Sequence, residues 1–191
     1  YHTSWGISTR LIGGLIMVHG DNRGLVLPPR VAPTQVVIIP IAQKKEGVLE
    51  RANALFDELK SKGIRVELDD DTANSPGWKF NQYEMKGYPI RIEIGPKDIE
   101  KNQAVAVRRD KLEKEILSLD NIGETVKAML ETMQKDMLEK ARQHREAHTY
   151  IMESYEDYKK SITDKPGFAK AMWCGCPECE AKLKEETGAT I

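Results

Sequence analysis

One short stretch decides the fold, and it reads Gln35-Val36-Val37-Ile38-Ile39-Pro40-Ile41. A run of β-branched residues with a proline only near its end is typical of a strand buried in a parallel sheet. The next segment, Val48 to Lys60, carries apolar residues at helical spacing, and Gly63 follows at a position that commonly ends a helix. Ile64 to Leu68, directly after it, is predicted to be a second strand. Strand, helix and strand in this order predict an α/β domain.

The same alternation continues toward the C-terminus. Pro76 to Lys86 predicts a second helix that ends at Gly87. Two further strands are predicted at Pro89 to Ile94 and at Gln103 to Val107, where apolar residues follow the strand pattern. We therefore expect residues 34–120 to form an α/β domain whose mixed sheet is flanked by helices.

On the N-terminal side, three prolines within six positions mark a domain boundary: Pro28, Pro29 and Pro33. Each proline removes a backbone donor and pushes the preceding residue toward extended geometry. Before them we expect a short strand at Ser4 to Ser8, a helix at Leu11 to His19 and another strand at Gly24 to Leu27. So short a strand and helix predict that residues 1–33 are the end of a larger domain.

Beyond residue 120 the composition shifts again. The segment from Ile122 to Lys160 has apolar residues at a period near 3.6 among charged ones, which predicts one or two long helices. A small cysteine-bearing segment follows, and within it Glu180 to Thr187 also has a helical pattern. We expect residues 121–191 to form a further, helical α+β domain.

Composition excludes several classes of protein. The chain has 191 residues, of which 40% are hydrophobic and 31% charged, and this fits neither a disordered nor a membrane protein. Its longest apolar stretches fall well short of the roughly 20 residues that cross a bilayer, and no secretory signal is visible. Twenty-nine Lys and Arg against thirty Asp and Glu give a formal charge of -1. A nucleic-acid surface must therefore come from local clustering of cations.

The three cysteines, Cys174, Cys176 and Cys179, fall within six positions. Their odd number gives no basis for a disulfide framework, whereas closely spaced thiolates are ligands that zinc prefers. Since zinc takes four ligands, these residues predict part of a site. Two alternatives stay open: a redox pair formed by Cys176 and Cys179, although no βαβ unit surrounds it, and unreactive thiols.

A third pattern combines cations with flat aromatic rings. Cations pair with phosphates and rings stack on unpaired bases, which is the chemistry that recognition of single-stranded RNA requires. Strand alternation also puts Arg91 and Glu93 on one face, and such a mixed face suits the reading of base edges. An ordinary solvated charged face fits the pattern as well. The residues are Lys79, Lys86, Arg91, Lys97, Arg108 and Arg109, with Trp78, Phe80, Tyr83 and Tyr88.

Short motifs stand in a fixed order along the whole chain. They are Trp5-Gly6-Ile7-Ser8-Thr9-Arg10, Pro76-Gly77-Trp78-Lys79-Phe80, Gly95-Pro96-Lys97-Asp98, Val105-Ala106-Val107-Arg108-Arg109, and Trp173-Cys174-Gly175 with Cys179-Glu180. Together they resemble the prolyl-tRNA synthetases of the eukaryote-like and archaeal-like type, which are class II aminoacyl-tRNA synthetases. The resemblance implies the end of a class II catalytic domain, then an anticodon-binding domain and a zinc-binding C-terminal domain.

The resemblance also implies an activity and its residues. The family activates L-proline with ATP and Mg²⁺ and transfers it to the proline tRNA, tRNA-Pro, as a cytoplasmic homodimer. Arg10, in a catalytic role, and Ser8 match positions that engage ATP, while Trp5 and Gly6 match the proline pocket. The first two class II motifs would lie upstream of Tyr1, so we expect a C-terminal fragment that is inactive alone.

Further positions match the anticodon contacts of the family. Glu84, Arg91 and Lys97 correspond to residues that the family uses on the guanines of the proline anticodon. One more family lysine falls at Lys114 or at Lys111, because the local length differs here. These residues include part of the mixed charged face that strand alternation predicts.

The cysteine segment carries the last part of the resemblance. Cys174 and Cys179 match the first half of a four-cysteine zinc site whose second half would lie beyond Ile191, and Cys176 is an additional thiol. Two other identities stay open: a related class II synthetase, for threonine or histidine, and a free-standing tRNA- or RNA-binding module.

Overall fold

Strand β1 (Val36–Pro40) lies inside a five-stranded sheet in the computed structural model, which describes residues 2–164 and 167–190. The sheet order is β2-β1-β3-β4-β5. Strand β1 is parallel to β2 and β3, whereas β3 with β4 and β4 with β5 are antiparallel, so the expected mixed sheet is confirmed. The other strands are β2 (Val66–Leu68), β3 (Ile90–Ile94), β4 (Gln103–Arg108) and β5 (Lys114–Ser118).

Helices cover both faces of β1, which explains why its sequence is apolar without alternation. Val36 and Ile38 pack in one cluster with buried residues of two helices, α2 (Val48–Ser61) and α5 (Ile122–Ala147). Val37 and Ile39 point the other way and pack on Tyr83 of α3 (Pro76–Lys86). A short helix, α4 (Pro96–Glu100), joins β3 to β4, and neither α4 nor β5 was predicted.

The second face is only partly covered over β4 and β5, where Val107 is buried and Val105 is half-buried. Glu93 pairs with Val105, and Val105 pairs with Ile116, so these residues point to the same side as Arg91. Ile116 is 68% exposed there, and Lys114 is exposed beside it. We call this surface the open face and define it by Arg91, Glu93, Val105, Lys114 and Ile116.

The N-terminal segment differs from two of its predictions. Helix α1 (Arg10–His19) confirms the expected helix, but the strand expected at Ser4 to Ser8 is wrong, because this segment pairs with no described strand. The strand expected at Gly24 to Leu27 is also wrong. Its extended backbone bonds to the end of a helix instead of a sheet, with Leu25 N donating to Met85 O at 3.0 Å.

Asp21 fixes this segment to the sheet. Its two carboxylate oxygens accept hydrogen bonds of 2.6 and 2.7 Å from the buried guanidinium of Arg109. These bonds lower the pKa of Asp21 to about 2, against the opposing effect of partial burial. Because the folded-state pKa is depressed, the contact stabilises the fold above the ordinary carboxyl range and loses this effect as the pH falls toward 2.

The chain divides into two compact units, Tyr1–Leu138 and Glu139–Ile191. In the second unit, β6 (Thr149–Ile151) pairs in parallel with β7 (Phe168–Lys170), and α6 (Tyr155–Asp164) and α7 (Pro177–Thr187) complete it. Helix α5 ends at Ala147 and a strand follows, so one expected helical region is interrupted. None of the described helices has the length and apolar character needed to cross a membrane.

Gly87 tests how closely the N-terminal segment packs. It ends α3 with φ 76°, and a Cβ there would lie 2.6 Å from the Cβ of Leu25. Gly63 follows α2 with φ 78° but has no atom within 4 Å of its Cβ position. Gly63→Ala should therefore cost only the left-handed strain, about 1–2 kcal/mol, whereas Gly87→Ala should cost about 2–4 kcal/mol. Urea unfolding of both variants measures the difference, and equal costs would contradict the packing of Leu25.

Candidate nucleic-acid interface

Arg91 stands at the centre of the candidate site. Its guanidinium donates from Nη1 to Glu84 Oε1 at 2.9 Å and from Nε to Glu93 Oε1 at 3.0 Å. Its Cζ atom lies 4.2 Å from the centre of the Phe80 ring. We call Phe80, Glu84, Arg91 and Glu93 the Arg91 cluster. The guanidinium is thus held by two carboxylates and one aromatic face.

Two local periodicities bring this cluster together. Phe80 and Glu84 are four residues apart on α3 and therefore share one side of the helix. Arg91 and Glu93 are two residues apart on β3 and share one side of the strand. Since α3 packs on that side of the sheet, the four side chains meet at the border between α3 and the open face.

The electrostatics of the cluster keep it charged. Burial alone would raise the pKa of Glu84, but hydrogen bonds from Arg91 and Arg23 outweigh it and hold the pKa below its ordinary value. The Arg91 side chain is 9% exposed and the Glu93 side chain 11%. Arg91 Nη2 has no acceptor among the residues that the structure describes. One guanidinium edge is therefore left for a ligand.

Two predicted lysines take different places. Lys114 Nζ lies 3.6 Å from Glu93 Oε2, next to the Arg91 cluster on the open face, whereas Lys111 pairs with Asp136. Lys97 is exposed in the first turn of α4, and within the described ranges no carboxylate lies within ion-pair distance of it. The geometry thus associates Lys114, and not Lys111, with Glu84 and Arg91.

Three of the other candidate cations form ion pairs within the protein. Lys79 Nζ is buried and donates to Asp69 Oδ1 and to two backbone oxygens. Arg108 pairs with Asp110, and Arg109 pairs with Asp21. These three cations are thus held by neighbouring carboxylates, and contact between them and RNA stays a prediction. Their partners are separated from them in sequence by up to 88 residues.

The residues matched to ATP and proline lie outside the core. Trp5 is 95% exposed, and Gly6, Ser8 and Arg10 are also exposed. Neither the cavity beside Arg91 nor the one beside Lys79 is lined by Trp5, Gly6, Ser8 or Arg10. Their roles stay predictions.

A cavity that was not predicted lies at the carboxyl ends of β1 and β2. It has a volume of about 320 Å³ and includes Lys44, Lys45 and Asp71 in its lining. The side-chain oxygen of Gln43 is buried at this place and has no hydrogen-bond partner among the described residues. The lining residues come from two segments that are distant in sequence, the one after β1 and the one after β2, so no local sequence pattern predicts the cavity.

The cysteines of the second unit do converge. The Sγ atoms of Cys174, Cys176 and Cys179 all lie within 4.8 Å of one another. Hydrogen bonds from the Cys176 backbone and from Cys179 lower the pKa of Cys174, while the hydrogen bond to Cys174 raises the pKa of Cys179 to about 11. The site can therefore form one thiolate readily, and a second one at a cost that a cation would offset.

Comparison with known proteins finds an anticodon-binding domain at the five-stranded sheet and a prolyl-tRNA synthetase domain at the cysteines. A family model described as "Anticodon binding domain" matches residues 35–129, and one described as "Prolyl-tRNA synthetase, C-terminal" matches residues 155–191. A proline–tRNA ligase of Acetoanaerobium sticklandii is 68% identical over all 191 residues of this chain. The chain belongs to the prolyl-tRNA synthetase family. Proline–tRNA ligase 2 of Clostridioides difficile is 59% identical over the same length, and a proline–tRNA ligase of Clostridium botulinum is 59% identical over 190 residues.

This chain spans about 40% of the length of these prolyl-tRNA synthetase relatives. The five-stranded sheet and the Arg91 cluster fall inside the anticodon-binding match, and the cysteines fall inside the C-terminal match. The alternative of a threonyl or histidyl synthetase is not favoured, because these relatives are proline–tRNA ligases and they match this chain over its full length.

Arg91→Met tests the electrostatics of the cluster. With Arg91 removed, burial acts on Glu84 against Arg23 alone, so the pKa of Glu84 should rise from its depressed position. In the wild type the low pKa of Glu84 stabilises the fold above the ordinary value of 4.5, and this effect is lost as the pH falls through the folded-state pKa. Carboxyl titration by NMR measures the shift. Arg142→Met, which removes a surface pair with Glu139, is the control and should leave Glu84 unchanged.

Proposed function

We propose that this chain provides the anticodon-binding part of a proline–tRNA ligase, an enzyme that activates L-proline with ATP and transfers it to tRNA-Pro. The observation that carries the proposal is the Arg91 cluster beside the open face, within the residues matched to an anticodon-binding domain. Membership of the prolyl-tRNA synthetase family supports it.

The chemistry of the cluster suits an unpaired guanine. A guanidinium donates to the O6 and N7 acceptors of guanine, and a carboxylate accepts from its N1 and N2 donors. Arg91 offers its Nη2 edge, and Glu84 and Glu93 hold carboxylates beside it. The exposed Ile116 gives an apolar surface against which a base can pack. The cluster therefore offers both the donors and the acceptors that guanine requires.

The lysines supply the second element of RNA binding. Lys97 and Lys114 are both exposed, and Lys114 lies 3.6 Å from Glu93 on the open face. Ammonium groups at such positions neutralise phosphates, which supplies affinity without reading sequence. We assign Glu84 and Arg91 to base recognition. We assign Lys97 and Lys114 to contacts with the phosphate backbone.

The remaining parts of the family activity are assigned to the N-terminal segment. Arg10 and Ser8 would engage ATP and its Mg²⁺, and Trp5 and Gly6 would border the proline pocket. A guanidinium such as that of Arg10 suits this task, because it stacks on adenine and pairs with phosphate oxygens. We assign residues 1–33 to the catalytic domain, residues 34–120 to the anticodon domain and residues 121–191 to the C-terminal domain. The whole enzyme would be a cytoplasmic homodimer.

Zinc is the metal that the cysteine segment fits. In a tetrahedral site with Zn–S distances of about 2.3 Å, neighbouring sulfur atoms lie about 3.8 Å apart. The sulfur atoms of Cys174 and Cys179 lie within 4.8 Å of each other, so a small rotamer change closes the gap. We propose that these two thiolates hold a structural zinc ion in the C-terminal domain, where its role is to stabilise the fold.

RNA binding by the 191-residue chain tests the anticodon assignment. The chain should bind a stem-loop with the proline anticodon, and the affinity should fall steeply with salt, because phosphate contacts release counterions. Glu84→Gln should weaken binding by about 5- to 100-fold and remove the preference for guanine, since each bidentate base contact is worth about 1–3 kcal/mol. Lys114→Ala should weaken all sequences alike and reduce the salt slope by about one.

The control is Lys60→Ala. Lys60 lies on α2, which packs against the opposite face of the sheet, so this variant should bind RNA as the wild type does. Filter binding or fluorescence anisotropy gives the affinities. If Lys60→Ala weakens binding as much as Lys114→Ala, or if Glu84→Gln has no effect, the RNA-binding face has been assigned to the wrong side of the sheet.

A further inference from the structure

Arg23 contacts the carboxylate of Glu84 from outside the anticodon-binding match. Its Nη1 atom donates to Glu84 Oε2 at 3.2 Å. The other oxygen of this carboxylate, Oε1, accepts from Arg91 Nη1 at 2.9 Å. Arg23 belongs to the segment before the prolines, whereas the match to an anticodon-binding domain begins at residue 35. Two segments that are distant in sequence therefore hold the two oxygen atoms of one carboxylate.

A tight turn, Asp21 to Gly24, presents Arg23. The backbone N–H groups of Asp21 and Gly24 each donate to the carbonyl oxygen of the other residue at 3.1 Å. Asp21 Oδ1 also accepts from the backbone N–H of Arg23 at 2.8 Å. The same carboxylate pairs with Arg109, which donates from Nε to Glu84 O at 2.8 Å. Arg109 thus ties the turn to the backbone of the residue that Arg23 contacts.

The turn is docked on the last turn of α3, where Glu84 lies. Leu25 N donates to Met85 O at 3.0 Å. Gly24 has φ 129°, and a Cβ there would lie 2.6 Å from Met85 O, so the two backbones are in direct contact. Arg23 is therefore held at a defined place beside Glu84, because the backbone on both sides of the contact is fixed.

Stability alone does not explain this ion pair. The Arg23 side chain is 59% exposed, and a pair with so exposed a cation adds little to the free energy of unfolding, because water screens it. The Glu84 side chain is only 13% exposed. Burial raises the pKa of Glu84, and the hydrogen bonds from Arg91 and from Arg23 together outweigh it. Arg23 thus helps to keep a largely buried carboxylate ionised.

Arg23 also fixes the direction of the carboxylate. The last torsion of a glutamate side chain is broad, so a single hydrogen bond leaves the carboxylate plane loosely defined. With Arg91 on Oε1 and Arg23 on Oε2, both oxygen atoms are held. Each carboxylate oxygen has two acceptor positions, so both atoms remain able to accept from a base. Two oxygens held in this way suit the adjacent N1 and N2 donors of guanine.

We propose that Arg23 is a positioning residue for guanine recognition, which acts by holding the Oε2 atom of Glu84. The inference rests on the proposed function, because it requires Glu84 to read a base. It means that the segment before residue 34, which we assign to the catalytic domain, completes the base-reading group of the anticodon domain.

The guanine preference of the 191-residue chain tests this role. It is the ratio of the affinities for a proline anticodon stem-loop and for the same stem-loop with adenine in place of the anticodon guanines. Arg23→Met should lower this ratio by about 3-fold or more, because the carboxylate is no longer held. Arg23→Lys keeps a charged donor and should recover part of the loss. In a Glu84→Gln background Arg23→Met should lower the ratio no further, since it acts through Glu84.

Asn22→Ala, which changes an exposed neighbour in the same turn, is the control and should keep the wild-type ratio. Circular dichroism of each variant confirms that it is folded. If Arg23→Met weakens the binding of both stem-loops alike and reduces the salt slope by about one, Arg23 contacts a phosphate and the inference is overturned. An unchanged ratio in Arg23→Met, or an equal loss in the Glu84→Gln background, overturns it as well.

The wild-type chain separates this inference from the proposed function. If the wild type prefers guanine and Arg23→Met keeps the full preference, the proposed function stands and only the role of Arg23 is overturned. If the wild type binds both stem-loops with equal affinity, base reading by Glu84 is overturned, and the role of Arg23 with it.

Discussion

The arrangement of the proposed RNA-binding surface depends on one buried cation, the guanidinium of Arg91. A charge removed from water costs several kcal/mol unless partners compensate it, and here Glu84 and Glu93 do so from a helix and a strand. Satisfying Arg91 therefore requires α3 to lie at one position against β3. The stacking of the guanidinium on Phe80 fixes its plane as well. The constraint that fixes this helix also orients the groups proposed to read a base.

This constraint reconciles a nearly neutral chain with an RNA-binding role. Three of the cations expected to meet RNA, Lys79, Arg108 and Arg109, form internal pairs with carboxylates instead. What remains on the open face is a small mixed group in which Lys114 and Arg91 stand beside two carboxylates. Such a group offers donors and acceptors to a base edge and only a few charges to phosphates. The proposed specificity therefore comes from geometry more than from overall charge.

The sequence predicted those parts of the fold that follow from local patterns. Strand β1 is apolar because helices cover both its faces, and α2 and α3 carry an apolar stripe and end at glycines, so all three were visible. Strand β5 was missed because four of its five residues are exposed and only Leu117 is buried, so its sequence has no clear apolar pattern. The roles of Lys79 and Arg109 were also missed, since their partners are chosen by tertiary contacts that no spacing encodes.

The central claim is that Glu84 and Arg91 read a guanine, and a change of one functional group in the RNA tests it most directly. Inosine differs from guanine only by lacking the 2-amino group, a donor that a carboxylate accepts. The affinity of the 191-residue chain for a proline anticodon stem-loop is measured before and after each anticodon guanine is replaced by inosine. We expect one replacement to weaken binding by about 5-fold or more, and to have no such effect in Glu84→Gln. Equal affinities for guanine and inosine at every anticodon position would contradict it.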